Sequence, residues 1–172
     1  MTPMEPISRM DSLLENAEAP TCDSGCATGY YFGHPNQLVS SGGDLVFSRY
    51  YPTSPAGPAA TLSLPRGTYH ITYTVNASAA KVMPLEGTAP MGFPVTSATV
   101  GIAPKLNGEP FPRGGSFATV PLNADIGGSA ALSGTFIAPM GKMLNTVGFY
   151  NTAREPFATD YQLLNITVTK IC

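Results

Sequence analysis

The side chains best able to do chemistry in this chain are few and widely spaced. Three cysteines, Cys22, Cys26 and Cys172, and two histidines, His34 and His70, are its whole complement of thiols and imidazoles. Cys22 and Cys26 could give zinc two ligands, but zinc needs three or four converging groups, and His70 falls on the wet face of an alternating stretch. A catalytic thiolate–imidazole pair would have to join Cys22 or Cys26 to His34, with Asp23 the one acid near enough to orient the base. Acid–base work needs two carboxylates in environments that drive their pKa values apart. Glu86, Glu109, Asp125, Glu155 and Asp160 all fall in expected loops instead, where solvated acids are the rule. No nucleophile elbow, dinucleotide fingerprint or phosphate-cradling loop is present, and Gly114-Gly115-Ser116 reads as a turn into a strand. The expectation is therefore no enzyme, no cofactor and no metal. An odd number of cysteines leaves at least one thiol without a partner in its own chain, so Cys22, Cys26 and Cys172 are candidates for disulfides between chains.

The elements that carry these residues are strands. In Leu64–Ala80, Tyr69, Ile71, Tyr73, Val75 and Ala77 fall on one face, and His70, Thr72, Thr74 and Asn76 on the other. A period of two marks a strand with one face buried and one wet. The expected strands are the 67–77 part of this stretch and similar runs at 44–51, 60–65, 97–107, 116–123, 129–140, 143–151 and 161–171, divided by turn signals such as Asn107-Gly108, Gly114-Gly115 and Gly141-Lys142. About eight short strands without an intervening helix imply an antiparallel sandwich or barrel.

The wet faces are unusual in carrying threonine, serine and asparagine in place of charge. Only 12% of residues are charged, about half the usual share, and the net charge is −2. The nine Lys and Arg are scattered, so no stripe exists to track a nucleic-acid backbone. No apolar run reaches the length of a membrane span. The N-terminus has no basic start followed by an unbroken apolar stretch, so no secretory leader is read there. On that reading the sequons Asn76-Ala77-Ser78 and Asn165-Ile166-Thr167, both inside expected strands, are chance matches.

Two segments stand apart. Residues 1–29 hold charges, a weak helical pattern of Ile7, Met10, Leu13 and Leu14, and then the two close cysteines; they read as an arm or connector to a domain at 30–172. The connection at 81–96 is long and apolar, with Met83, Leu85, Met91 and Phe93 among its residues. Loops normally lie on the surface, so this one folds onto the body, meets a partner, or forms a short hairpin of its own around Gly87. These eight apolar residues are the candidate assembly contacts.

Gly67, Tyr69, Ile71 and Tyr73, then Leu106-Asn107-Gly108, then Ser133-Gly134-Thr135, then a final strand with Leu164, Ile166 and Val168 inward, occur in a recognisable order. Over roughly 40–172 the chain resembles the C-terminal domain of BclA-type exosporium proteins, bacterial relatives of the C1q/TNF-like jelly rolls. The resemblance implies an all-β antiparallel jelly-roll sandwich that forms homotrimers. It departs from the family in three ways: the short arm stands in place of a collagen-like stalk, the 81–96 connection is longer, and Lys142 stands where the leucine-rich hairpin often has Asp. Together these imply a stalkless subunit of a spore-surface fibre, its trimers stacked head to tail through the arm. The expected partners are further copies of itself and other spore-surface proteins, on the outside of a bacterial cell or spore. The alternative is a trimeric receptor- or carbohydrate-binding head, with Tyr30, Tyr31, Tyr50 and Tyr51 as aromatic contacts, although packing at the base of the domain is the better reading of those four.

Overall fold

The computed structural model describes residues 28–33, 36–51, 59–81, 97–121, 128–154 and 157–171. Within them the chain is all-β and antiparallel, with nine strands: β1 (Thr28–Gly33), β2 (Asn36–Val39), β3 (Phe47–Tyr51), β4 (Thr61–Lys81), β5 (Ser97–Leu106), β6 (Glu109–Pro110), β7 (Ser116–Pro121), β8 (Ser129–Asn151) and β9 (Phe157–Ile171). The hydrogen-bonded order is β3-β1-β9-β4-β8-β5-β6, with β2 also on β9 and β7 also on β5. The strand after β1 and β2 in this order is the last in the sequence, the long crossover connectivity of a jelly roll.

Two of the expected turns are not turns. Runs 60–65 and 67–77 form the single strand β4, and runs 129–140 and 143–151 form the single strand β8. The reason is mutual: Pro65 lies opposite Leu144 and Gly67 opposite Met140, so Arg66 alone faces Gly141, Lys142 and Met143. Breaks in both strands meet across the ladder as one wide bulge, which bends the pair without ending it. β1 and β2 were not read from the sequence; β1 opens at Thr28, inside the stretch assigned to the arm. Asn107-Gly108 is a hairpin turn as expected, with φ of 52° and 83°, the conformation that Asn-Gly supplies at least cost. Glu109 and Asp160, expected in loops, lie on β6 and β9.

The bulge folds the sheet over on itself. β9 and β5 stand three places apart in the bonded order, yet the Tyr161 hydroxyl on β9 donates to the Gly101 carbonyl on β5. Likewise the Tyr73 hydroxyl donates to the Gly114 carbonyl at 2.6 Å. Between the layers lie Tyr69, Ile71, Tyr73, Val75 and Ala77, all buried, as the alternation of β4 requires. Phe149 meets Tyr73, Phe136 and Phe47 edge-on, with ring centroids 5.1, 6.3 and 6.4 Å away, geometry that aromatic quadrupoles favour. Leu163, with φ of 54°, bulges β9 so that Tyr161 and Leu164 both face inward.

Room for the Tyr73 hydroxyl comes from Gly134, where a Cβ would lie 2.5 Å from that oxygen and 2.6 Å from the Gly114 carbonyl. Gly134→Ala is therefore expected to cost about 2 kcal/mol or more in urea unfolding. Leu163→Gly exchanges a strained left-handed leucine for a more flexible chain, and should stay within about 0.5 kcal/mol of wild type.

Burial holds the Tyr73 phenol neutral and raises its pKa to about 12; the Tyr161 and Tyr69 phenols are raised as well, chiefly by burial. A folded-state pKa above the unfolded value of 10 means the unfolded chain loses its protons first as pH rises. The stabilisation is whole below pH 10 and is lost through pH 12, at up to about 2–3 kcal/mol for Tyr73 alone. Urea midpoints measured along an alkaline series should fall through this window, and less steeply in Tyr73→Phe.

Candidate assembly interface

Strands β1, β9, β4 and β8 turn one broad face outward, and the ladder registers set its rows. At one end Ile171, Thr68 and Pro139 stand abreast, followed by Thr169, His70 and Ile137. Next come Tyr30, Thr167, Thr72 and Thr135, then Phe32, Asn165, Thr74 and Ser133. Asn76 and Ala131 make the fifth row. None of these residues is Asp, Glu, Lys or Arg. Apolar side chains mark its margins: Tyr30 and Phe32 are about two-fifths exposed, and Ile137 and Ile171 a little more. His70 Nε2 and Thr135 Oγ1 share a 2.7 Å hydrogen bond across neighbouring strands.

Alternation explains the face locally. The inward register of β4 is fixed by its aromatics and aliphatics, so Thr72, Thr74 and Asn76 have nowhere else to go. Threonine suits a pleated surface through its branched Cβ, and its hydroxyl loses far less than a charge would when water is removed. Such a face can pack against another surface without burying an unpaired ion.

The two ends of the long strands differ. Thr28 pairs with Thr169, which pairs in turn with His70, so the N-terminal segment joins the sheet beside His70. Lys81, where the 82–96 segment departs, is eleven residues further along β4, about 36 Å at the usual rise. That segment returns at Ser97 on the same end: the Ala79 N–H donates to the Gly128 carbonyl, the Gly128 N–H donates to the Pro121 carbonyl, and Pro121 pairs with Ser97.

The sequence-derived contacts Ile7, Met10, Leu13, Leu14, Met83, Leu85, Met91 and Phe93 lie outside the described residues, as do Cys22, Cys26, Cys172 and His34. Of the candidate aromatics, Tyr31 is buried with its ring edge-on to Phe47 at 6.1 Å, the packing role, whereas Tyr30 faces outward. Tyr50 and Tyr51 lie on β3. His70 is exposed, as its place on β4 required. Met143 and Leu144, 88% and 65% exposed, were not singled out in the sequence because a hairpin was expected there. Among the described residues no three His, Cys, Asp or Glu side chains converge, and no helix is long and apolar enough to cross a membrane. The clearest charge pair, Lys105 with Asp44 at 2.6 Å, is at the surface, with the Lys105 ammonium 5.1 Å from the Tyr150 ring centroid.

No family model matches the chain, and no curated protein matches it. Among solved structures, the globular domain of zebrafish complement 1qA protein is similar at 9% identity and a TM-score of 0.45. That alignment covers 86% of this chain and 98% of the zebrafish domain.

The outward face yields a test of its own. Thr74→Glu places a carboxylate at an exposed position in the middle of the uncharged rows. Monomer stability should change by less than about 0.5 kcal/mol, while any self-association through this face should weaken measurably by sedimentation velocity.

Proposed function

We propose that this chain is a non-enzymatic structural subunit: a homotrimeric jelly roll that stacks head to tail into a fibre or layer on a bacterial cell or spore surface. The observation that carries the reading is the run of five charge-free rows on the outward face of β1, β9, β4 and β8, between Asp160 at one end and Arg66 and Lys142 at the other, broad enough to pack against a neighbour and poor in groups that would do anything else. Lateral packing through that face closes a trimer. The arm, which enters the sheet on β1 in the row of His70, and the apolar 82–96 segment, which leaves β4 at Lys81 toward the other end, then serve the axial contact. A contact between two different surfaces does not close on itself, and it propagates into a filament. Cys22, Cys26 and Cys172 lock neighbours covalently in an oxidising setting outside the cell. The BclA-like order of motifs supports the spore-surface assignment, and other proteins of that surface are the natural anchors for the ends of such a fibre.

Light scattering of the full chain without reductant tests this directly. A large, polydisperse mass is expected, falling to about three chains when residues 1–27 are deleted. A sharp mass near three chains for the full chain would instead favour a discrete binding head, and a monomer would remove the trimer reading altogether. Cys22→Ser with Cys26→Ser should leave assemblies that form but dissociate in hot SDS; assemblies as resistant as wild type would rule out the covalent lock.

A further inference from the structure

The most exposed large apolar side chains on the arm-bearing end are Met143 and Leu144, in the bulge of β8. Neither serves the core: both point away from it, beside exposed Pro65 and Arg66. They are nevertheless held firmly. Asn145 is fully buried, and its side chain is tied on every side. Its Oδ1 accepts from the Lys142 N–H at 3.2 Å and from Asn107 Nδ2 at 3.3 Å. Its Nδ2 donates to the carbonyls of Lys142 at 2.8 Å and Leu64 at 3.3 Å. A buried amide with all its partners supplied is a rigid post, and this one fixes the loop that carries two bare apolar residues. Bulges re-aim side chains, and a fixed apolar projection is what an interface requires.

From this geometry we infer that the Met143–Leu144 knob is an axial docking element whose occupant is a second copy of this chain, contacted through its Val82–Thr96 segment. This rests on the stacking reading above and names the surface that stacking uses. The occupant follows from where the chain runs. Fifteen residues rich in Val, Met, Leu and Phe are attached at Lys81 and Ser97, the end of the sheet remote from the knob. In a stack that keeps one orientation, that end of one copy faces the knob end of the next. Apolar then meets apolar, the two surfaces are different, and the contact repeats without closing. Lys142 at the tip of the bulge, one of few charges nearby, sits at the rim, where it costs little to keep hydrated.

The test uses the full-length chain. Met143→Asp and Leu144→Asp are compared with wild type and with Phe117→Asp, a comparably exposed apolar position on β7, away from both the knob and the outward face of β1, β9, β4 and β8, by light scattering over a concentration series. Circular dichroism melts of all four should coincide, since none of the three side chains is buried. Each knob variant should associate at least about tenfold more weakly, the value of burying one such side chain, and collapse to a discrete mass while Phe117→Asp remains large. Knob variants as large as wild type would overturn the docking assignment and leave stacking intact. A wild type that is itself discrete would remove the stacking reading and this inference with it. A photoreactive benzophenone side chain introduced at position 143, in a mixture of isotopically light and heavy chains, should give mixed-isotope crosslinks to residues 82–96. Crosslinks to residues 1–27, or within one chain only, would overturn the proposed occupant.

Discussion

Two phenolic hydroxyls decide how the layers of this domain sit on each other. Tyr73 and Tyr161 are almost wholly buried, and a buried hydroxyl without a partner would cost more than the ring around it could tolerate. Each reaches across the interior to a backbone carbonyl, Gly114 for Tyr73 and Gly101 for Tyr161. The carbonyls belong to chain that is not paired to the donor strand, so each bond fixes the offset between layers as well as their spacing. Apolar contacts would allow the layers to slide; a directional bond at the tip of a rigid ring does not. Gly134 follows from the same constraint, because any side chain there would occupy the position of the Tyr73 oxygen. The wide bulge follows as well, since β4 and β8 must bend for one pair of strands to serve both layers.

Fold class and core were legible in the sequence because alternation is a local signal. The inward set of β4 could be listed residue by residue, and the Asn107-Gly108 turn needed only two residues to be recognised. What could not be read is pairwise. Gly141-Lys142 has the composition of a turn, and Pro65-Arg66-Gly67 has that of a break; only their position opposite each other turns both into a bulge within a continuous ladder. β1 and β2 were missed for a related reason. Both are short, β1 has glycine at two of its six positions, and they form by pairing with β9, the last strand in the chain. The face proposed for assembly was half legible: threonine and asparagine on β4 were visible, but its width depended on β9 and β8 coming to flank that strand. Met143 and Leu144 were hidden by the mistaken hairpin.

Low charge joins the lateral and axial readings. A sheet face decorated with lysine and glutamate stays apart from its neighbours, because packing it would strand ions away from water. Replacing those charges by threonine removes this protection against association. In a protein that must remain single such a face is a liability, whereas in a subunit of a lasting assembly it is the means of closure. The Lys105–Asp44 pair fits the same pattern, since it neutralises both charges at the surface.

The breaks in alternation point to where the fold carries information beyond its own stability. An uninterrupted β8 would put Met143 and Leu144 on alternate faces, one of them inward. With three residues facing one, both are freed from the core and presented together. Asn145 then does at the bulge what Tyr73 does in the interior: it converts a soft stretch of chain into a defined position through directional bonds to named backbone atoms. A bulge that served only to bend the sheet would have no need of two large apolar side chains at its tip. Glycine or serine would bend equally well and stay comfortably in water. Their presence beside a satisfied buried amide is therefore better explained by contact with another surface than by the needs of the monomer.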